Sequence, residues 1–182
     1  MPMNLTPPDS EEYAPFYAGY IERAQTRGSL FAALSLQIEE IKAELGDLTD
    51  DQGLFRDAPN EWSIKEVIGH LNDVERVFSY RLLRVSRNDP TPLPGFEQND
   101  YVCEARFNDY AINDLIQEFE YLRRANILAI RNMSEDAILR RGTASGYTVS
   151  ARALMYMIVG HVDHHLESLR EKYLPPLKQS SK

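Results

Sequence analysis

The chain predicts an all-α protein: a four-helix bundle with a short N-terminal helix and a long connection between its second and third long helices. Three observations carry this. Four long segments repeat apolar residues at spacings of three and four, the signature of helices with one buried face. Capping and terminating residues bound those segments. At 182 residues the chain is long enough to bury one sizeable core. The domain organisation that follows is an arm over 1–10, one domain over 11–175 and a tail over 176–182.

The arm is Pro-rich and polar, either ordered on contact or frayed. From Glu11 to Ala24 a short helical pattern carries Tyr13, Phe16, Tyr17, Tyr20 and Ile21, a stripe that needs a surface to cover it. The first long helix spans Ser29 to Leu45, with Leu30, Leu34, Ile38, Ile41 and Leu45 inward and Gly46 ending it. Thr49-Asp50-Asp51-Gln52 has capping-box form and opens one short turn.

Ser63-Ile64-Lys65-Glu66 is a second capping box, with Trp62 ahead of it placed to staple against Val67. The helix it starts buries Ile64, Val67, Ile68, Leu71, Val74, Phe78, Leu82 and Val85, and Asn88-Asp89-Pro90 ends it. Residues 89–110 form the long connection. Its length and its aromatics, Phe96 and Tyr101, predict an ordered loop covering something, with those two as candidate pocket-wall residues. The third helix runs from Tyr110 to Asn132 with Ile112, Leu115, Phe119, Leu122, Ile127 and Ile130 inward. A short turn at Ser134 to Leu139 and a turn or small hairpin over 141–147 follow. The last helix spans Val149 to Tyr173 and stops at Pro175-Pro176. An up-down arrangement is the natural one for four such helices.

Composition narrows the function classes. A net charge of −8 argues against nucleic-acid binding, which needs a basic face. Arg81, Arg84 and Arg87, and Arg123, Arg124 and Arg131, read as solvated helix faces. No apolar run reaches a bilayer span, no secretory signal is visible, and the single Cys103 fits a reducing compartment, so the expected location is cytoplasmic, with no membrane partner. Cys103 has no histidine near it in sequence and reads as a passive thiol. Nucleotide-binding and serine-hydrolase motifs are absent.

The chemistry lies in the histidines. The chain has four, and three fall in Gly160-His161-Val162-Asp163-His164-His165-Leu166-Glu167. On a helix His161 and His165 lie about 40° apart around the axis and one turn apart along it, so one metal ion can take both. Both continue the apolar stripe of Leu154, Ile158 and Leu169, where an unpaired imidazole is costly. His70, on the inner edge of the second long helix, is the third candidate. His164 is rotated by about 100° from His165 and is the weaker ligand, a modest preference on geometry alone. Three neutral imidazoles leave a coordination position open, the pattern of a catalytic site. No histidine has Glu three residues before it, which argues against a di-iron carboxylate centre. Zinc, nickel, iron and manganese all accept imidazole. Glu66 and Asp73, one turn either side of His70, are in range to orient it.

The pieces Trp62-Ser63-Ile64-Lys65-Glu66, Gly69-His70-Leu71, Glu75-Arg76-Val77-Phe78, Pro92-Leu93-Pro94-Gly95-Phe96, Asn99-Asp100-Tyr101-Val102 and Gly160-His161 to His165-Leu166 resemble the DinB-like superfamily of metal-binding four-helix proteins. The likeness runs from Tyr13 to Tyr173. It implies a bundle in which His70, His161 and His165 bind one divalent metal, often in a homodimer, and so selects the 161/165 pair. Characterised relatives include thiol S-transferases using low-molecular-weight thiols, mycothiol-dependent maleylpyruvate isomerase and an iron-dependent sulfoxide synthase domain; others are described as metal-dependent hydrolases. The resemblance therefore implies a metal-dependent enzyme acting on a small molecule. Thiol transfer with a metal-held thiolate is the first expectation. Hydrolysis and non-catalytic metal or ligand binding in a stress response are the alternatives.

Overall fold

The computed structural model describes residues 5–180, so residues 1–4 of the expected arm and 181–182 of the expected tail lie outside the described residues. The bundle consists of α2 (Leu30–Leu45), α4 (Ile64–Ser86), α6 (Ile112–Arg131) and α8 (Ala151–Ser168). Between them lie α3 (Asp50–Gly53), α5 (Gln98–Ala105), α7 (Glu135–Leu139) and the strands β1 (Arg141–Ala144) and β2 (Tyr147–Ser150); α1 (Ala18–Thr26) precedes them and α9 (Leu174–Ser180) follows.

The serine caps work as the sequence predicts. Ser29, Ser63 and Ser134 each accept a hydrogen bond from an amide three residues on, and Ser150 does the same for α8. The Thr49 and Ser63 capping boxes are both complete. The stripe Leu34, Ile38, Ile41 of α2 meets Leu115, Phe119 and Ile130 of α6 and Leu154, Ile158 of α8 in one continuous core.

Helix order around the bundle departs from the up-down expectation. α4 packs on α6 and α8, and α2 packs on α6 and α8, so the consecutive long helices α2 and α4 lie across the diagonal. The connection 46–63, which holds α3, is long enough to carry the chain across the end of the bundle.

Four further differences concern single segments or side chains. The N-terminal aromatic segment is two 3₁₀ turns, Ser10–Glu12 and Pro15–Tyr17, before α1, because Pro15 cannot donate within a helix but suits the first position of a new turn. The end of α8 passes through a π-helical turn, Leu169–Tyr173, into α9, whose first turn accepts Pro175 and Pro176 because its amides need no partner. The expected boundary at 175 therefore falls inside helical structure. The 89–110 connection is not a bare loop, since it holds α5 and a 3₁₀ turn, Phe107–Asp109. Finally, Arg81 and Arg123 are buried and do not belong to solvated faces.

The hairpin and the connection hold each other. Ser145 and Gly146 both adopt positive φ (53° and 82°), the requirement of a tight two-residue β-turn, which glycine meets without strain. Leu93 bridges Ala144, donating to Thr143 O at 2.9 Å and accepting from Ser145 N at 3.0 Å. At the N-terminus, buried Glu12 pairs with Arg152 of α8, and this holds its carboxyl down at about 2.

Among the described residues, no helix is long and apolar enough to cross a membrane.

Candidate metal centre

Two glycines set the histidines in place. Gly69 precedes His70, and a Cβ there would fall 2.3 Å from the Phe107 ring, so the connection seats directly on α4. Gly160 precedes His161, and a Cβ there would fall 1.8 Å from the Tyr20 carbonyl oxygen; α1 thus lies tight along α8. The cap of α4 is locked as well. Ser63 Oγ donates to Asn108 Oδ1 at 2.6 Å, and Asn108 Nδ2 donates to Glu66 Oε1 at 2.8 Å.

The fold brings His70, His161 and His165 together. One ring nitrogen from each lies within 4.8 Å of the others, a group able to hold a metal ion. His70 Nε2 and His161 Nε2 are 3.0 Å apart, and the three ring centroids are separated by 4.6 to 5.0 Å. His70 is 2% exposed and His161 4%, while His165 is half-buried. Trp62 lies 4.7 Å from the His70 ring, and Tyr20 5.4 Å and Phe78 6.0 Å from His161, so aromatic rings flank the group.

This burial opposes protonation. It lowers the His70 pKa to about 4, and it drives His161 and His165 well below the ordinary histidine value, with the neighbouring imidazoles adding to the effect. Neutral imidazoles with available lone pairs are what a cation requires. Three nitrogen donors without a carboxylate leave a divalent charge uncompensated and at least one position open.

In front of the group is a cavity of about 300 Å³, onto which His165 opens. Its wall includes Asn60, Glu61, Trp62, Asn99 and His164. His164 is exposed and turns toward Tyr20 (5.6 Å between rings), so it stays outside the buried triad.

Behind α8 runs a polar network that the sequence pattern did not announce. Arg123, 0% exposed, grips Glu75 through two hydrogen bonds of 2.8 and 2.9 Å and also donates to Gln37 Oε1. Gln37 Nε2 donates to Val159 O at 2.8 Å and to Asp163 Oδ1 at 2.7 Å, and Arg27 closes on the same aspartate. Asp163 lies between the two α8 histidines, so the network fixes the segment that presents them. A signal existed: Gln37, Glu75 and Arg123 each stand on the core step of their helix (Leu34–Gln37–Ile41, Leu71–Glu75–Phe78, Phe119–Arg123–Ile127).

Residues 33–169 match the sequence model of the DinB superfamily. The chain belongs to the DinB superfamily. No curated protein matches it in sequence. Among solved structures, its fold is similar to that of YfiT from Bacillus subtilis, at 14% identity and a TM-score of 0.70 over 93% of this chain and 94% of that one. That protein is described as a probable metal-dependent hydrolase with an unusual four-helix bundle topology. The matched span of the DinB superfamily model covers all four bundle helices except the start of α2, and all four histidines.

Other predicted residues of this DinB-superfamily chain fall elsewhere. Glu66 is committed to its cap, to Asn108 and to Arg56 at 2.7 Å. Asp73 is half-buried beside Arg76, and its carboxyl is pushed up by burial. Cys103 is a free, exposed thiol. Phe96 and Tyr101 meet with ring centroids 5.3 Å apart but line a different cavity from the one in front of the histidines; from the same connection it is Gln98 and Asn99 that reach the latter.

Proposed function

We propose that the chain is a divalent-metal-dependent hydrolase, its ion held by His70, His161 and His165. The observation that carries this reading is the wall in front of the triad: it is polar, it includes Glu61 and His164, and among the described residues no lysine or arginine lines it. A divalent ion on three neutral imidazoles supplies Lewis acidity at its remaining coordination positions.

The chain's own residues then divide the work. Glu61 and His164 are the groups of that wall able to accept a proton from an attacking water. The amides of Asn60, Gln98 and Asn99 suit an uncharged polar substrate such as an amide or ester. Trp62 and Leu169 give the wall its apolar part and limit water access. Likeness of fold to a protein described as a probable metal-dependent hydrolase supports the same reading. The thiol transfer that the family resemblance implies is the competing chemistry. A low-molecular-weight thiol bearing carboxylates would meet no cationic side chain among the described residues of this lining.

Elemental analysis of the purified protein names the ion, with zinc, nickel, iron and manganese as the candidates. A panel of esters and amides, assayed on metal-loaded protein with and without added thiol, tests the reaction. Hydrolysis without thiol is expected, lost in His161→Ala and slowed about 10²-fold in Glu61→Gln or His164→Gln. Turnover that requires a thiol replaces hydrolysis by transfer. Metal uptake that stabilises the fold, with no turnover of any kind, marks a binding protein.

A further inference from the structure

A second cavity, of about 310 Å³, lies between α4, the 93–96 segment and α5. Val77, Leu93, Phe96, Tyr80 and Tyr101 form most of its wall. One charged group sits deep in this apolar lining: Arg81, only 2% exposed. Its Nη2 donates to Pro94 O at 2.9 Å and to Ser145 Oγ at 3.0 Å, and its guanidinium lies 6.0 Å from the Phe78 ring and 5.8 Å from the Phe96 ring.

What Arg81 lacks is a counter-charge. Among the described residues no carboxylate forms an ion pair with it, and no acid lines the cavity. Among the described residues the one other buried arginine, Arg123, is gripped by Glu75, and the half-buried Arg152 and Arg27 are held by Glu12 and by Glu40 with Asp163. Taking a guanidinium out of water without an anion is costly, and removing its partner is what makes a buried charge expensive. Arg76, the other arginine at the rim, is already committed to Glu118 and Asp73.

We propose that this cavity binds a small organic carboxylate with an aromatic or alkyl body, its carboxylate on Arg81 and its body among Val77, Phe96 and Tyr101. The planar guanidinium fork suits a carboxylate, and the aromatic rim suits an apolar body. The volume is at the small end of the range for small-molecule sites. The site is separate from the histidine group and does not depend on the hydrolase reading.

The test is a titration of the full-length protein with 3-phenylpropionate and, in parallel, its neutral isostere 3-phenylpropanamide, followed by calorimetry. Saturable binding of the acid at one site per chain is expected, with the amide about tenfold or more weaker. Arg81→Gln should weaken the acid by a similar factor, and Val77→Trp, which fills the cavity from a half-buried position, should abolish binding. His161→Ala should leave it unchanged within about twofold. Equal affinity for acid and amide, no saturable binding of the acid, or binding that survives Val77→Trp would each overturn the proposal. If Arg81→Gln does not fold, the amide comparison and Val77→Trp still decide it.

Discussion

The Nε2 atoms of His70 and His161 lie 3.0 Å apart across the packed faces of α4 and α8, although the residues are 91 positions apart in sequence. A cation that takes both Nε2 atoms requires each neutral ring to carry its proton on Nδ1.

Metal uptake should therefore depend on each of the three buried or half-buried histidines and not on the fourth. His70→Ala, His161→Ala and His165→Ala are each expected to lower affinity by about two orders of magnitude or more, while His164→Ala keeps full stoichiometry. Elemental analysis after dialysis against a chelator series measures this. Loading should also raise the unfolding temperature of the parent protein and leave that of His161→Ala unmoved.

The metal-free protein should lose stability as pH falls below the ordinary histidine pKa of about 6.5. The sign follows from the depressed native values. Between pH 6.5 and about 4 the unfolded chain binds a proton at His70 that the native state refuses. His161 and His165, held well below the ordinary histidine value by burial and by the neighbouring imidazoles, add to the loss in the same direction. Over that window His70 alone contributes a slope of about 1.4 kcal/mol per pH unit. Glu12, with its carboxyl at about 2, adds its loss only below the ordinary carboxylate range, so the upper part of the window isolates the imidazoles. Urea unfolding at several pH values measures the slope, and His70→Gln should reduce it by one histidine's share.

Breaking the Arg123–Glu75 pair should be among the most damaging single changes. Arg123→Leu leaves a carboxylate that is 2% exposed without its partner, at a cost of about 3–5 kcal/mol. The double variant Arg123→Leu with Glu75→Leu should recover part of that loss, because the uncompensated charge is gone. Chemical denaturation of the four-member cycle gives the coupling.

Gly160→Ala tests the seating of α1. Alanine gains up to about 1 kcal/mol of helix propensity over glycine. Its Cβ would nonetheless fall 1.8 Å from the Tyr20 carbonyl oxygen, so α1 must move. A net loss of about 1–3 kcal/mol is expected, with faster amide exchange in α1.

Much of this molecule was legible in its sequence because the relevant rules are local. Apolar spacing along Leu30 to Leu45 or Ile64 to Val85 reports which face of a helix is buried, and Ser29 and Ser63 report where a helix begins. The four-residue step from His161 to His165 puts both rings on one buried face, and the family resemblance paired them with His70. Periodicity says that a face is covered and not by what. The diagonal placement of α2 and α4, the separation of Phe96 and Tyr101 from the histidines, and the split of the 89–110 connection into α5 and its flanking turns are outcomes of packing between distant segments. Arg81 and Arg123 make the same point. An arginine on a helix stripe is normally solvated, and it is buried here only because other elements supply an aromatic wall, a carbonyl or a carboxylate. Those partners are non-local, and no single-helix pattern contains them.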